Sequence, residues 1–306
     1  MSEIKLTYRN QCATINILGG GIKEYYIEKN GKRQDIIYGY SKDEEKSGSM
    51  GDVLFPFPGR VEDSKYSFDG HDYELSGLRI KDGHAIHGFA KWVEWEIIAQ
   101  SENFVTLRFE MKKEDYVEKG FPFSLELIIE YSLGEDGLVC KAKVKNIGEE
   151  KAPFGLGFHP YFSVNGAKVD EMSLQIPAKK MVEFATNLKP TGKFPDPSGD
   201  LDFRTSKEIG STVIDNCFTD LNYEDGKAKT ILSTGDGKIT IWQDQNLPYL
   251  QLYSADTIGE EHRRGGLAIE AQTCTGFALN CPEMGLRVLE PEEEYKVSWG
   301  VQSDFS

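Results

Sequence analysis

Apolar and polar residues alternate with a period of two along most of the chain, whereas the helical period of about 3.6 residues is nearly absent. Residues 105–111 are apolar at every second position. Residues 124–133 and 138–146 repeat the pattern, and the Gly-Glu-Asp-Gly sequence at 134–137 separates them. Because successive strand side chains point to opposite faces, we predict three antiparallel strands with one face in water.

Turn residues separate most of the other alternating segments. Asn30-Gly31 lies between two of them and predicts a two-residue hairpin, because a type I′ turn needs positive φ at both positions. No linker, low-complexity tract or repeat divides the chain, and residues 189–197 are expected to form a long surface loop. Further strands are predicted at 238–243, 249–255, 267–272 and 295–301.

These patterns predict an all-β fold with few short helices. We expect residues 1–306 to form one domain, a large antiparallel β-sandwich of roughly 15 to 20 strands at the usual strand length.

Composition and charge restrict the partners. Asp and Glu number 50 against 35 Lys and Arg, which gives a formal charge of -15, and no basic cluster is present. Nucleic acids and anionic membrane surfaces require a basic face, so neither is expected as a partner. No stretch approaches the roughly 18 apolar residues of a membrane span, and the first residues lack the apolar run of a signal peptide. We expect a cytoplasmic protein with a small, neutral partner.

The five cysteines, at positions 12, 140, 217, 274 and 281, are widely spaced and include no CxxC pair. They are predicted to be reduced and packed in the interior, with no zinc site. The glycines at 19–21 do not form a GxGxxG motif, and no Gly-x-Ser-x-Gly sequence occurs. Neither a metal nor an organic cofactor is therefore expected.

Each of the five histidines can be weighed separately. His71 and His262 lie in polar turn sequences and are predicted to be solvated. His84 and His87 are three residues apart beside a glycine. His159 lies among aromatic residues, where an imidazole is either packed in the core or tuned as an acid.

Glu270 is the single carboxylate of an apolar segment, residues 267–272. Leu267 and Ile269 share one face, so Glu270 points the other way, either into solvent or into a polar cleft. In a cleft, partial desolvation would raise the pKa of the carboxyl and make it a usable base near neutrality. Periodicity alone leaves both alternatives open.

Several motifs, in order along the chain, together resemble the aldose 1-epimerase (galactose mutarotase) superfamily. They are Gly59-Arg60-Val61 followed by Tyr66-Ser67-Phe68-Asp69-Gly70, His84-Ala85-Ile86-His87-Gly88, His159-Pro160-Tyr161-Phe162, Ile214-Asp215-Asn216-Cys217-Phe218, Leu250-Gln251-Leu252-Tyr253, and Ile269-Glu270-Ala271-Gln272 with Asn280.

The resemblance implies a role for each matching residue. Glu270 would be the base at the anomeric hydroxyl, His159 the acid at the ring oxygen, and His87 would polarise the ring-oxygen region. It also implies a galactose mutarotase-like supersandwich and a reaction without metal or cofactor. The implied sugar-binding residues are Arg60, Asp215, Gln251 and His84.

The chemistry of anomer exchange agrees with such a pair. Opening a hemiacetal removes a proton from O1 and adds one to O5, so one base and one acid suffice, each typically worth roughly 10²–10⁴-fold in rate. The aromatic residues Trp92, Phe158, Tyr161 and Phe162 stack on a sugar face or pack in the core.

Three positions depart from the family pattern. Gly59 stands where Asn is usual, which removes one side-chain hydrogen bond. Phe89 follows His87-Gly88 where Gly is usual, which puts a bulky ring in place of open backbone, so we expect a reshaped sugar pocket. Residues 273–276 replace a Pro-Asp-Ala sequence.

Three alternatives follow, of which a mutarotase for a free aldohexose is preferred. The Phe89-Ala90-Lys91 continuation is similar to the glucose-6-phosphate 1-epimerase branch, so a hexose 6-phosphate is a second substrate class, with Arg60, Arg79, Lys81 and Lys91 as phosphate contacts if they converge. A non-catalytic carbohydrate-binding protein is the third. The sequence leaves monomer and homodimer equally open.

Overall fold

The computed structural model describes residues 3–40 and 48–305, and in these ranges most of the chain is extended. The strands, in chain order, are β1 (Glu3–Tyr8), β2 (Gln11–Asn16), β3 (Ile22–Lys29), β4 (Lys32–Ile37), β5 (Val53–Leu54), β6 (Arg60–Val61), β7 (Lys65–Phe68), β8 (His71–Glu74), β9 (Ile80–Lys81), β10 (His84–Ile86), β11 (Glu96–Gln100), β12 (Phe104–Met111), β13 (Leu125–Gly134), β14 (Gly137–Asn146), β15 (Ala152–Phe154), β16 (Gly157–Phe158), β17 (Tyr161–Phe162), β18 (Ser173–Gln175), β19 (Ala178–Met181), β20 (Lys207–Glu208), β21 (Asp215–Leu221), β22 (Lys227–Thr234), β23 (Gly237–Asp244), β24 (Tyr249–Tyr253), β25 (Leu267–Gln272), β26 (Arg287–Leu289) and β27 (Glu294–Phe305).

Helical structure in the same ranges is limited to a few single turns. One α-helical turn, α1, spans Lys113–Tyr116. The 3₁₀ turns are Glu62–Ser64, Ala90–Trp92, Val117–Lys119, Val169–Glu171, Gly199–Leu201 and Pro282–Met284. None of these helices is long and apolar enough to cross a membrane.

The strands form two large sheets and three small ones. The first large sheet has 11 strands, with the order β1-β2-β3-β4-β17-β25-β24-β21-β19 and with β5 and β16 attached beside β25. The second has nine strands, in the order β11-β12-β13-β14-β27-β23-β22-β18-β20. The small sheets are β6-β10-β9, β15-β26 and β7-β8. Neighbouring strands of all five sheets run antiparallel.

The predicted meander is β12, β13 and β14 of the second sheet. Along β13 buried and partly buried residues alternate without a break, so one face of the strand faces the core. Gly134 pairs with Gly137 at the hairpin end, as the turn sequence predicted. Rings from the first sheet reach across to the second, with Phe158 5.6 Å and Phe162 6.4 Å from Trp299 between centroids. The apolar faces of the two sheets thus enclose one core between them.

The prediction of an antiparallel, all-β sandwich is confirmed. The Asn30-Gly31 hairpin is confirmed as well, because both residues have positive φ, 52° and 72°. The described ranges contain 27 strands, more than the expected 15 to 20, and six of them have only two residues and leave no alternation to read. All five cysteines are buried and form no disulfide, as predicted.

Candidate active site

Two protonatable side chains from distant parts of the chain meet on the first sheet. His159 follows β16, and Glu270 lies in the adjacent strand β25. Nε2 of His159 is 3.2 Å from Oε1 of Glu270, and only 6% and 4% of the two side chains are exposed. The contact becomes an ion pair when the imidazole is protonated. An acid and a base therefore lie within reach of two oxygens on one carbon atom.

The apolar pattern of β25 sets the direction of Glu270. Leu267, Ile269 and Ala271 belong to the main hydrophobic core. Glu270 and Gln272 lie on the opposite face, where both are buried. Of the two alternatives left open by periodicity, the structure shows the one in which the carboxyl is enclosed by protein rather than by bulk solvent.

The surroundings of Glu270 favour its protonated form. Burial raises the pKa of the Glu270 carboxyl well above its usual value, and the negative charge of Asp215 acts in the same direction. A hydrogen bond of 2.9 Å from Nε2 of Gln272 to Oε2 of Glu270 partly opposes this increase. A carboxyl with a raised pKa suits a general base that works near neutral pH.

Two backbone hydrogen bonds hold the main chain of His159, and a stacked ring holds its imidazole. Its amide donates to the carbonyl of Asp52 at 3.0 Å, and its carbonyl accepts from the amide of Gly51 at 2.9 Å. Tyr161 stacks on the imidazole at 5.2 Å with an interplanar angle of 21°. The Tyr161 hydroxyl donates to the carbonyl of Gly48 at 2.7 Å, which fixes the stacking ring in turn.

His87 lies beside His159, with ring centroids 5.6 Å apart at an interplanar angle of 89°. Its Nδ1 accepts a hydrogen bond of 3.1 Å from the amide of Gly59, and its own amide donates to the Gly59 carbonyl at 2.9 Å. An Nδ1 that accepts from a backbone amide carries no proton, so the neutral ring has its proton on Nε2. His87 is thereby a hydrogen-bond donor at Nε2 rather than a base.

Burial, together with neighbouring positive charges, keeps His87 neutral. Burial lowers the pKa of His87 well below its usual value, and the charge of Lys91 contributes in the same direction. Smaller contributions of the same sign come from His159, Arg60 and Lys81. His87 also has a positive φ of 65°, an uncommon backbone conformation that is frequent at functional sites.

Gly59 explains one departure from the family pattern. Its φ is +63°, and a Cβ atom there would lie 2.4 Å from Cα of Gly276. The backbones of residues 59 and 276 therefore approach each other more closely than any side chain at 59 allows. Residue 59 therefore contributes two backbone hydrogen bonds to His87 instead of an asparagine side chain.

Asp215 and Gln251 flank Glu270 on neighbouring strands. Gln251 of β24 is the cross-strand partner of Glu270, and its Nε2 donates to Oδ1 of Asp215 at 2.9 Å. Asp215 is exposed, yet desolvation by the surrounding protein raises the pKa of its carboxyl. The positive charges of Arg60 and Lys81 partly offset this increase.

Of the four cations named as phosphate contacts, three act electrostatically on His87: Lys91, Arg60 and Lys81. Arg60 forms an ion pair of 3.1 Å with Asp82, and Lys81 acts electrostatically on both His87 and Asp215. Arg79 is exposed.

Lys91 points away from solvent. It is 5% exposed, donates to the Ser49 hydroxyl at 3.3 Å, and lies 3.9 Å from a carboxylate oxygen of Asp52. Its charge reaches the site through protein rather than by a direct ligand contact.

His84 and Asn280 serve their local backbone. Nδ1 of His84 accepts from the amide of Asp63 at 3.0 Å, and its ring contacts Phe277 edge-on at 5.4 Å. The Asn280 side chain joins residues 62 and 65, accepting from the amide of Glu62 at 2.8 Å and donating to a carbonyl at 2.7 Å. Neither side chain hydrogen-bonds to the His159–Glu270 pair within the described ranges.

The aromatic residues divide between the core and the site. Phe158 and Phe162 are core residues, whereas Trp92 is 56% exposed. Phe89, which follows His87-Gly88, is 3% exposed and packs against Tyr116 with centroids 5.1 Å apart.

The prediction that His262 is solvated is wrong. His262 is 5% exposed, and its Nδ1 is 3.0 Å from the hydroxyl of Tyr38, whose ring meets the imidazole edge-on. The polar neighbours in sequence gave no sign of Tyr38, which comes from the end of β4. His71 is exposed, as predicted.

A cavity of about 510 Å³ lies elsewhere, between β7, β8 and the segment that contains Asn280. None of the catalytic candidates lines it. We place the candidate site at the His159–Glu270 pair, because these two titratable side chains lie close enough to serve neighbouring atoms of one small molecule. Among residues 3–40 and 48–305, no group of three or more potential metal ligands comes together.

Comparison with known proteins decides the family. The family model described as aldose 1-epimerase matches residues 3–302. The chain belongs to the aldose 1-epimerase family. The predicted resemblance is therefore confirmed. Membership in this family supports an isomerase that acts on a small-molecule sugar.

Relatives of this aldose 1-epimerase family member cover nearly its whole length. The uncharacterised protein YihR of Escherichia coli (strain K12) is 30% identical over 94% of this chain and 89% of its own. The aldose 1-epimerase of the same organism is 26% identical over 82% of this chain and 79% of its own. A crystal structure of a GalM/aldose epimerase homologue from C. elegans superposes with a TM-score of 0.87 at 19% identity, covering 99% of each chain. At that identity the likeness establishes the galactose mutarotase-like fold.

Proposed function

We propose that this protein interconverts the α and β anomers of a free aldohexose by acid–base ring opening and reclosure. The observation that carries the proposal is the 3.2 Å contact between Nε2 of His159 and Oε1 of Glu270 in a largely buried site. O1 and O5 of a pyranose are bonded to the same carbon, so the acid and base that serve them must be near neighbours. The name of the E. coli relative, aldose 1-epimerase, supports the same reaction.

In the forward step the Glu270 carboxylate takes the O1 proton, and the C1–O5 bond breaks as C1 becomes an aldehyde carbon. The His159 imidazolium gives its proton to O5. After rotation about C1–C2, His159 takes the O5 proton back while O5 attacks the other face of C1, and Glu270 returns a proton to O1. Protons and electrons balance on these two side chains, so the proposal includes no cofactor.

His87 completes the acid side of the site. As a neutral ring with its proton on Nε2, it can donate a hydrogen bond towards O5. Because it stays uncharged, it adds no repulsion to the imidazolium of His159 beside it. We assign it to polarising the ring oxygen rather than to transferring a proton.

Hydroxyl binding is assigned to Asp215, Gln251 and Arg60. Asp215 offers acceptors, Gln251 donors and an acceptor, and the Arg60 guanidinium donors only. Arg60 and Lys81 are countered by Asp82 and Asp215, which favours a neutral sugar over an anionic one. His84 can bind a sugar hydroxyl only through Nε2, because its Nδ1 already accepts a hydrogen bond from the amide of Asp63.

Polarimetry of freshly dissolved α-D-glucose, α-D-galactose and glucose 6-phosphate tests the proposal. We expect faster decay of optical rotation with a free hexose, and its loss in Glu270→Gln. Preference for glucose 6-phosphate, abolished in Lys81→Ala, would replace the free sugar by a phosphorylated one. Calorimetric binding without any rate effect would make the protein a carbohydrate-binding module instead.

The setting of the reaction is part of the same proposal. We treat residues 1–306 as one domain, because the core is shared by both large sheets. A cytoplasmic location is supported by the five thiols, all of which are unpaired.

A further inference from the structure

The two carboxylate oxygens of Glu270 have different partners. Oε1 faces Nε2 of His159 at 3.2 Å, whereas Oε2 accepts a hydrogen bond of 2.9 Å from Nε2 of Gln272. Gln272 is itself only 3% exposed. The Gln272 amide therefore binds Oε2 and leaves Oε1 facing His159 and the sugar.

The fold provides a place for this amide. Gln272 lies two residues after Glu270 in β25, so both side chains are on the same face of the strand. Gly157 of β16 pairs with Gln272, and a Cβ atom on Gly157 would lie 3.1 Å from Cγ of Gln272 and 3.1 Å from Cβ of Pro58. The absence of a side chain at 157 thus makes room for the glutamine beside the strand that leads to His159.

We propose that Gln272 is a positioning residue: its amide fixes the rotation of the Glu270 carboxylate so that Oε1 faces the acid, and it stabilises the ionised form of the base. The inference rests on the proposed function, because it assigns Glu270 the part of a base. A hydrogen bond donated to a carboxylate favours the charged form over the protonated form, which has one acceptor fewer.

Other groups also act on the Glu270 carboxyl. His159 lies against Oε1, and Asp215 adds negative charge from β21. The phenol of Tyr161 and the thiol of Cys217 are near enough to respond electrostatically to Glu270. All four remain in a Gln272 variant, so a change in the titration of Glu270 there reports on the amide alone.

Gln272→Met removes the donor and preserves the length of the side chain. We expect the acidic limb of the kcat/KM profile to move up by about one to two pH units, the size that one hydrogen bond to a charged group corresponds to. Activity should recover on the alkaline side, because the base ionises there without help. Gln272→Asn keeps an amide but is one methylene shorter, so its donor should no longer reach Oε2 of Glu270 and the acidic limb should move in the same direction.

Gln243→Met is the matched control. Gln243, in β23 of the second sheet, is equally buried at 3% and donates to the carbonyls of Leu247 and Tyr249. It should change stability without moving the acidic limb. An acidic limb that stays unmoved in both Gln272 variants would overturn the inference.

A direct titration separates this inference from the proposed function. Carbon-13 NMR of the glutamate carboxyl carbons, with Glu270 assigned by its absence in Glu270→Gln, follows the protonation of Glu270 without any substrate. An inactive wild type would refute the mutarotase, yet the Glu270 titration would still be expected to shift upward in Gln272→Met. An unshifted titration would refute the role of Gln272, whatever the activity.

Discussion

Gly59→Ala tests the link between the backbone and His87. The substitution forces a side chain into a conformation with φ of +63°, which costs roughly 1–2 kcal/mol for a non-glycine residue. The new Cβ atom would lie 2.4 Å from Cα of Gly276, and because that neighbour is backbone it cannot rotate away. Such overpacking typically adds about 1–3 kcal/mol, so we expect a loss of roughly 2–5 kcal/mol in the free energy of unfolding.

Two glycines provide controls for this prediction. Gly31 has a φ of +72° with nothing within 4 Å of a Cβ atom, so Gly31→Ala carries the conformational cost alone. In Gly276→Ala the new Cβ atom would lie 3.4 Å from Cα of Gly59, which is an ordinary van der Waals separation. Urea unfolding of the three variants gives the comparison.

Activity provides the second measurement. Relief of the contact at Gly59 should displace the amide that holds Nδ1 of His87, so kcat should fall in Gly59→Ala and stay unchanged in Gly31→Ala. Equal stabilities for Gly59→Ala and Gly31→Ala would refute the steric reasoning. A stable but fully active Gly59→Ala would refute the role given to the backbone pair.

Three further predictions follow from the site and the core. Asp215→Asn removes a negative charge that raises the pKa of Glu270, so the acidic limb of the activity profile should move to lower pH while KM rises; an upward shift would contradict the stated sign. Phe89→Ala should cost about 3–5 kcal/mol in unfolding free energy yet leave KM unchanged, whereas a pocket residue would alter KM. The five thiols should react with a thiol reagent only after unfolding, and rapid labelling of the native protein would show that one is exposed.

Much of the fold could be predicted because long strands leave a periodic signal. The alternation over β12, β13 and β14 predicted both the presence of these strands and which residues of each point into the core. Two-residue strands such as β16 and β17 have no period to detect, and they are the elements that position His159.

The residues of the candidate site could be named from the sequence, whereas their arrangement in space could not. The face of Glu270 followed from Leu267 and Ile269, whereas its enclosure depends on strands that pair with β25 from elsewhere in the chain. The role of Gln272 was missed, although its position two residues after Glu270 put it on the same face. His262 was misjudged, because its partner Tyr38 is set by tertiary packing.

The central claim is that His159 and Glu270 act as one acid–base unit on a sugar. The most direct measurement is the enzyme-dependent exchange rate between the two anomeric proton signals at equilibrium, by NMR saturation transfer, in Glu270→Gln, His159→Gln and the double variant. We predict that each single variant loses roughly 10²–10⁴-fold and that the double variant loses little more, because ring opening needs both transfers together. Exchange that survives in either single variant at the wild-type rate would contradict the account.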